Sequence, residues 1–139
     1  MTGRATEATV STLMAEAPVV VGEDETIASV AELLAGYGIS GLPVVDASDQ
    51  LVGVISETDL VRLRGWALPW TAWHGVLVRD LMSSPARTIA GSASLDEAAR
   101  QMTGKSVHRL VVVDDRDTPI GVISESDLVR EIADSCDDH

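Results

Sequence analysis

Sliding the sequence past itself by 68 positions lays residues 10–63 over residues 78–131 without a gap, and this repeat limits the possible folds more than any other feature. LMAEAPVVVGEDETI falls on LMSSPARTIAGSASL, and ISGLPVVDASDQLVGVISETDLVR falls on VHRLVVVDDRDTPIGVISESDLVR. Both copies close on the same string, GVIS-E-x-D-L-V-R. A chain of 139 residues suits one compact domain or two half-sized units sharing one core, since domains usually run ~100–150 residues.

Each copy predicts the same order of elements. A short apolar strand comes first, at Val19–Val21 and at Thr88–Ile89. A helix follows from near Thr26, with Ile27, Val30, Ala31 and Leu34 at helical spacing and Gly36 and Gly38 as stops. In the second copy Ser94 and Glu97 have the spacing of a capping box, and Gly104 is the expected end of the helix. Leu42–Val45 and Leu51–Ile55, joined by Asp46-Ala47-Ser48-Asp49-Gln50, read as a β-hairpin repeated at Leu110–Val113 and Ile120–Ile123. A second helix then enters through Ser56-Glu57-Thr58-Asp59 or Ser124-Glu125-Ser126-Asp127. The expected class is α/β (α+β), with a small three-stranded sheet in each copy and helices on one face. About 50 residues bury too little alone, so the copies are expected to pack with pseudo-twofold symmetry, leaving two clefts between them as default ligand sites.

Composition narrows the function. Apolar residues make up 45% of the chain, Phe is absent, and the net charge is -12. That charge, without a Lys/Arg cluster, argues against nucleic acid and anionic membrane surfaces as partners. The N-terminus lacks a hydrophobic signal region, so the cytoplasm is the expected location. Cys136 is the only cysteine, which excludes an internal disulfide and a cysteine-cluster metal site. The three histidines, at 74, 108 and 139, form no recognisable metal or catalytic motif, and no P-loop or triad accompanies them. The expectation is a protein that is not an enzyme, with no required cofactor.

The duplicated order strand, helix, strand, strand, helix, with G-apolar-apolar-S-x-x-D closing each copy, resembles the tandem CBS-domain pair, or Bateman module, over residues 10–132. On this reading residues 10–64 and 78–132 are the two domains and 65–77 a Trp-rich linker. VHRLVVVD followed by GVISESD is similar to the nucleotide-binding CBS domains of the AMP-activated protein kinase gamma subunit. The resemblance implies a non-enzymatic regulatory module whose clefts bind AMP, ADP or ATP. It implies that Asp59 and Asp127 hold ribose hydroxyls, with Ser56, Thr58, Ser124 and Ser126 near ribose or phosphate. The chemistry is apt, because a carboxylate accepts from two vicinal hydroxyls and a helix N-terminus offers free N–H groups to phosphate. The competing reading is that S-x-x-D before an apolar run is simply a capping box.

The resemblance further implies that His108 and Arg109 face phosphate. The first copy has Ser40 and Gly41 instead, so two unequal sites are expected, the Asp127 site being better equipped for phosphate. Val19, Val20 and Ser40, with the strand residues Val107 and Val122, are expected near the adenine. Two alternatives stand beside the nucleotide sensor: a ligand-free scaffold or interaction module, and a sensor of S-adenosylmethionine. Trp66, Trp70 and Trp73 would share a face if helical, although Pro69 predicts two short pieces. They serve either as a lid on the core or as a contact surface for a homodimer or a regulated protein partner. Asp134–His139 reads as a solvated acidic end.

Overall fold

A computed structural model describes residues 8–16, 20–67 and 69–137, and the chain divides into two compact units. The first unit is Ala17–Arg87; the second joins Met1–Glu16 to Thr88–His139. In the first, strand β2 (Val21–Gly22) runs parallel to β3 (Gly41–Val45), which pairs antiparallel with β4 (Leu51–Ser56). Helices α2 (Ile27–Tyr37) and α3 (Glu57–Gly65) belong to the same unit. The second repeats this with β5 (Thr88–Ala90), β6 (Arg109–Val113), β7 (Pro119–Ser124), α6 (Leu95–Lys105) and α7 (Glu125–Asp137). The expected three-stranded sheets are therefore present, although the first strand starts at Val21 and Val19 lies outside the described residues.

The compact units are offset from the repeats in the sequence. The short helix α1 (Val10–Leu13) and strand β1 (Ala15–Glu16) open the first copy, yet they pack in the second unit. Val10 and Ser11 donate backbone hydrogen bonds to Ala93 and Gly91, each at 2.9 Å, and β1 becomes a fourth, antiparallel edge strand on β7. The matching helix α5 (Val78–Leu81), which opens the second copy, packs in the first unit. Val78 donates to Glu25 at 2.9 Å, and Val54 and Ser83 exchange backbone bonds of 3.0 and 2.9 Å across an isolated bridge. Four-residue helices have too few internal bonds to persist alone, so tertiary packing holds them. Val10 and Val78 are fully buried in the cores they complete.

The two cores have the same construction. Ile27, Val30 and Leu34 of α2 pack with Leu42, Val44 and Ile55, whereas Ala31 is only half-buried. Ala98 and Met102 of α6 pack with Leu110, Val112 and Ile123. Each hairpin turns on an aspartate. Asp46 Oδ1 accepts from Ser48 and Gln50, and Asp114 Oδ1 accepts from Arg116 and Thr118. Those backbone donors, Thr118 foremost, hold the Asp114 carboxyl below the ordinary aspartate range. Asp49 and Asp117 take left-handed backbone conformations, and a bulge follows in each β3–β4 and β6–β7 ladder.

Several local expectations are corrected. Gly36 lies inside α2, and the stop is Gly38 in the left-handed conformation with its N–H on the Leu34 carbonyl. Gly104 likewise lies inside α6; the helix ends at Ser106, which adopts φ 55° and donates to Met102. Ser94 caps α6 by accepting from Glu97 N–H at 3.1 Å, but the Glu97 carboxylate turns to Gln101 and Arg100 instead of closing a box. Those donors, Gln101 first, hold its carboxyl below the ordinary range. As Pro69 predicts, the tryptophan segment breaks: α3 stops at Gly65 and a separate turn, α4 (Trp70–Trp73), follows. The side chains do not form one stripe, since Trp66 is exposed while Trp73 is buried in the first core; the Trp70 side chain lies outside what is described. The acidic end is solvated as far as it is described: residues 134–136 are exposed and residues 134–137 form the last turn of α7, while residues 138–139 lie outside the described residues.

Two substitutions test this packing. A Cβ at Gly53 would stand 2.6 Å from the Ser83 carbonyl oxygen and 2.9 Å from Met82 Sδ, so the borrowed segment fits only against glycine. Gly53→Ala is expected to lower the unfolding free energy by about 1–3 kcal/mol in urea titration, and unchanged stability would contradict the seating of Met82–Ser83 on β4. Ser106→Gly relieves a left-handed non-glycine residue at the end of α6 and is expected to raise stability by about 0.5–1 kcal/mol, read as a higher Tm.

Candidate functional site

The repeated S-x-x-D string builds the same polar junction at the end of each hairpin. Ser56 leaves β4 in an extended conformation and caps α3. Asp59 reaches back, its Oδ2 accepting from Ser56 N–H at 2.8 Å and from Ser56 Oγ–H at 3.1 Å. Its Oδ1 accepts from Arg62 Nη1 at 3.3 Å. In the second unit Asp127 Oδ2 accepts from Ser124 N–H at 2.8 Å and Ser124 Oγ–H at 3.1 Å, while Arg130 holds Oδ1. Asp127 N–H also meets Ser124 Oγ at 3.4 Å. Both carboxylates are buried, Asp59 at 4% and Asp127 at 6% exposure, and hydrogen bonding offsets the cost of that burial.

The capping geometry is thus formed in both copies, and it leaves one oxygen of each carboxylate under an exposed arginine. The Arg62 and Arg130 side chains are 56% and 67% exposed, so their heads can swing into solvent at small cost. A pair of vicinal hydroxyls arriving at Oδ1 would then replace one charge-assisted bond without disturbing the cap on Oδ2.

Strand register decides what stands beside each cap. Arg109 is the cross-strand partner of Ser124, and Gly41 holds the same relation to Ser56. Alternation along the strands puts Arg109, Val111, Val122 and Ser124 on the sheet face opposite Leu110, Val112 and Ile123. Arg109 Nε is buried and, among the described residues, has no hydrogen-bond partner within the chain, a costly arrangement that a bound acceptor would relieve. His108 precedes it, its carbonyl accepting from Glu125 N–H at 2.9 Å as Ser40 does from Glu57. The His108 imidazole also bonds the Glu125 carboxylate, Nδ1 to Oε1 at 3.0 Å, a contact for which Ser40 has no ring.

The expected site residues therefore separate into two groups. Ser40, Ser56, Thr58 and Asp59 gather at the α3 cap; His108, Arg109, Val122, Ser124, Ser126 and Asp127 gather at the α7 cap. Thr58 and Ser126 are exposed on the first helical turns. Val107 instead packs against the second core, as Ile39 packs against the first. Val20 lies exposed just ahead of β2, and Val19 is outside the described residues. Glu125 and the arginines Arg62 and Arg130 were not singled out from sequence. The signal for the two arginines was present in the D-L-V-R string, since an i, i+3 Asp–Arg pair meets on one helix face.

Among the described residues no group of three His, Cys, Asp or Glu side chains is placed to hold a metal ion. None of the helices searched is long and apolar enough to cross a membrane. An open groove of 490 Å³ in the second unit, lined in part by Ser11, Gly91, Asp114 and Arg116, lies at the opposite ends of β6 and β7 from Asp127.

Comparison with known proteins agrees with this architecture. The CBS domain family matches residues 10–65 and again 78–134. An uncharacterized protein of Methanopyrus kandleri is 31% identical over 108 residues, 76% of this chain, and the chain spans about half (53%) of that relative's length. The structure of CBSX2, a CBS-pair protein from Arabidopsis thaliana, in complex with AMP is 32% identical with a TM-score of 0.71, covering 91% of this chain and 96% of that one. The CBS domain pair of protein MJ0100, in complex with 5′-methylthioadenosine and S-adenosyl-L-methionine, has the same fold at 22% identity and a TM-score of 0.77, covering 90% of this chain and 99% of that one. With both copies matched by one family and the fold shared along nearly its whole length, the chain belongs to the CBS-domain family as a tandem pair.

Proposed function

We propose that this CBS pair is a non-catalytic regulatory module that binds an adenine nucleotide, AMP, ADP or ATP, and reports occupancy to a partner. The observation that carries the reading is the junction at the α7 cap, where Asp127, Ser124 and Arg109, with its unsatisfied buried Nε, come together. Asp127 supplies an acceptor for ribose hydroxyls, and His108, Arg109 and the first turn of α7 supply donors for phosphate. The AMP complex of the 32% identical CBSX2 supports an adenosyl ligand of this kind. The Asp59 cap, beside Ser40 and Gly41, lacks the imidazole and guanidinium of its counterpart and is the weaker phosphate site. In this reading the protein works in the cytoplasm as a homodimer, needs no cofactor, and binds neither nucleic acid nor membrane. Binding shifts its conformation to the extent that the ligand prefers one state over another.

A second reading has support from the caps themselves. Both carboxylates are already satisfied within the chain, as in a scaffold whose S-x-x-D strings only terminate helices. An S-adenosylmethionine sensor is the variant of the first reading that uses the ribose contact without phosphate, and His108→Ala would leave it unaffected.

Titration calorimetry with AMP, ADP, ATP and S-adenosylmethionine, on the wild type and on Asp59→Asn and Asp127→Asn, separates these readings. Nucleotide binding should be saturable and at least about tenfold weaker in Asp127→Asn, in line with loss of a charged hydrogen bond of ~1.5–3 kcal/mol, with a smaller loss in Asp59→Asn. The scaffold reading predicts no binding by folded wild type, with Asp127→Ala lowering stability by only the ~0.5–2 kcal/mol of a lost cap.

A further inference from the structure

The chemistry around the α7 cap contains one group that works against phosphate. Glu125 stands at the first position of α7, and two bonds fix it to His108: its N–H on the His108 carbonyl at 2.9 Å and its carboxylate on Nδ1 at 3.0 Å. Asp127 is paired with Arg130 and Glu125 with His108, so both carboxylates at the cap already hold a basic partner before any ligand arrives. An incoming phosphate must compete with the Glu125 carboxylate for the same imidazole and meets its negative charge at the mouth of the helix.

Resting on the adenosyl-binding reading above, we propose that Glu125 is the specificity-determining residue of this site. It sets how much negative charge the bound ligand can bring and favours adenosine and AMP over ADP and ATP. The carboxylate occupies His108 in the empty site, and a ligand with few phosphate charges leaves that pair intact. Each added phosphate raises the repulsion, because it brings more negative charge toward a carboxylate that its hydrogen bond to His108 sets at the helix mouth. The first unit provides the contrast. Glu57 has the same backbone bond to Ser40, but neither an imidazole nor a guanidinium stands beside it, so its cap has less positive charge to offer an anion.

The test is calorimetric titration of the full chain with adenosine, AMP, ADP and ATP, using wild type, Glu125→Gln, Glu125→Asp, His108→Ala and the double variant Glu125→Gln/His108→Ala. Glu125→Gln should bind AMP roughly threefold to tenfold more tightly, with a larger gain for ADP and ATP, and adenosine should change by less than about twofold. Glu125→Asp keeps the charge and should keep the wild-type ranking. The gain from Glu125→Gln should shrink when His108 is absent, because the two side chains act as a pair. Equal effects on adenosine and AMP, weaker AMP binding, or no change in any affinity would overturn the assignment of Glu125 while leaving adenosyl binding standing. Absence of binding for every ligand in every variant would overturn the binding reading itself, and this inference with it.

Discussion

Each half of this molecule is completed by a piece of chain that precedes the other half in sequence. Met82–Ser83 lies along β4 over Gly53, and Ala15–Glu16 lies along β7. Val78 and Val10 plug the corresponding cores. A three-stranded sheet with two helices is too small to hide its own apolar surface, and the two borrowed turns are too short to exist undocked. Neither element is stable without the other, so the hydrogen bonds and methyl packing at these seams hold together what the repeats alone do not.

Within each unit the hairpin feeds a helix through Ser and Asp. The buried carboxylate has two duties at this point. Oδ2 closes the turn by binding the serine N–H and hydroxyl, and Oδ1 faces an arginine that solvent can take away. A cap and a ribose acceptor are therefore not alternatives in chemical terms, since they use different oxygens of one group. The asymmetry between the halves comes from two positions next to the cap, Ser40 and Gly41 against His108 and Arg109, and from the register that puts Arg109 opposite Ser124. Duplication supplied two equal frameworks; divergence at a strand entrance gave them unequal charge.

Much of this was legible in the sequence because repetition removes ambiguity. Apolar runs at hairpin spacing and the D-L-V-R string read the same way twice, so the β3–β4 and β6–β7 ladders and the helices after them appeared where expected. What was not legible depended on tertiary packing. Nothing in VSTLM or VRDLM says that those residues dock on the distant copy, because the pattern that makes them bury Val10 and Val78 is satisfied by either partner. Gly104 looked like a helix stop, yet Ser106 accepted the left-handed position because its N–H reaches the Met102 carbonyl. The tryptophan spacing suggested one face, but the break at Ala67 and Pro69 turned Trp73 into the core and left Trp66 outside. Of the candidate site, the serines and aspartates were visible in the motif. Val107 was not separable from them, because its packing on the core follows from the turn that ends α6, where its N–H reaches the Met102 carbonyl.

Whether the α7 cap receives an adenosyl ligand can be read from a backbone amide NMR titration of the labelled chain with AMP. The largest shifts are expected on Arg109 and on Ser124 through Asp127, with smaller ones on Ser56 through Asp59. Shifts confined elsewhere, such as the groove by Ser11, Gly91 and Arg116, or a spectrum indifferent to AMP, would contradict binding at this cap.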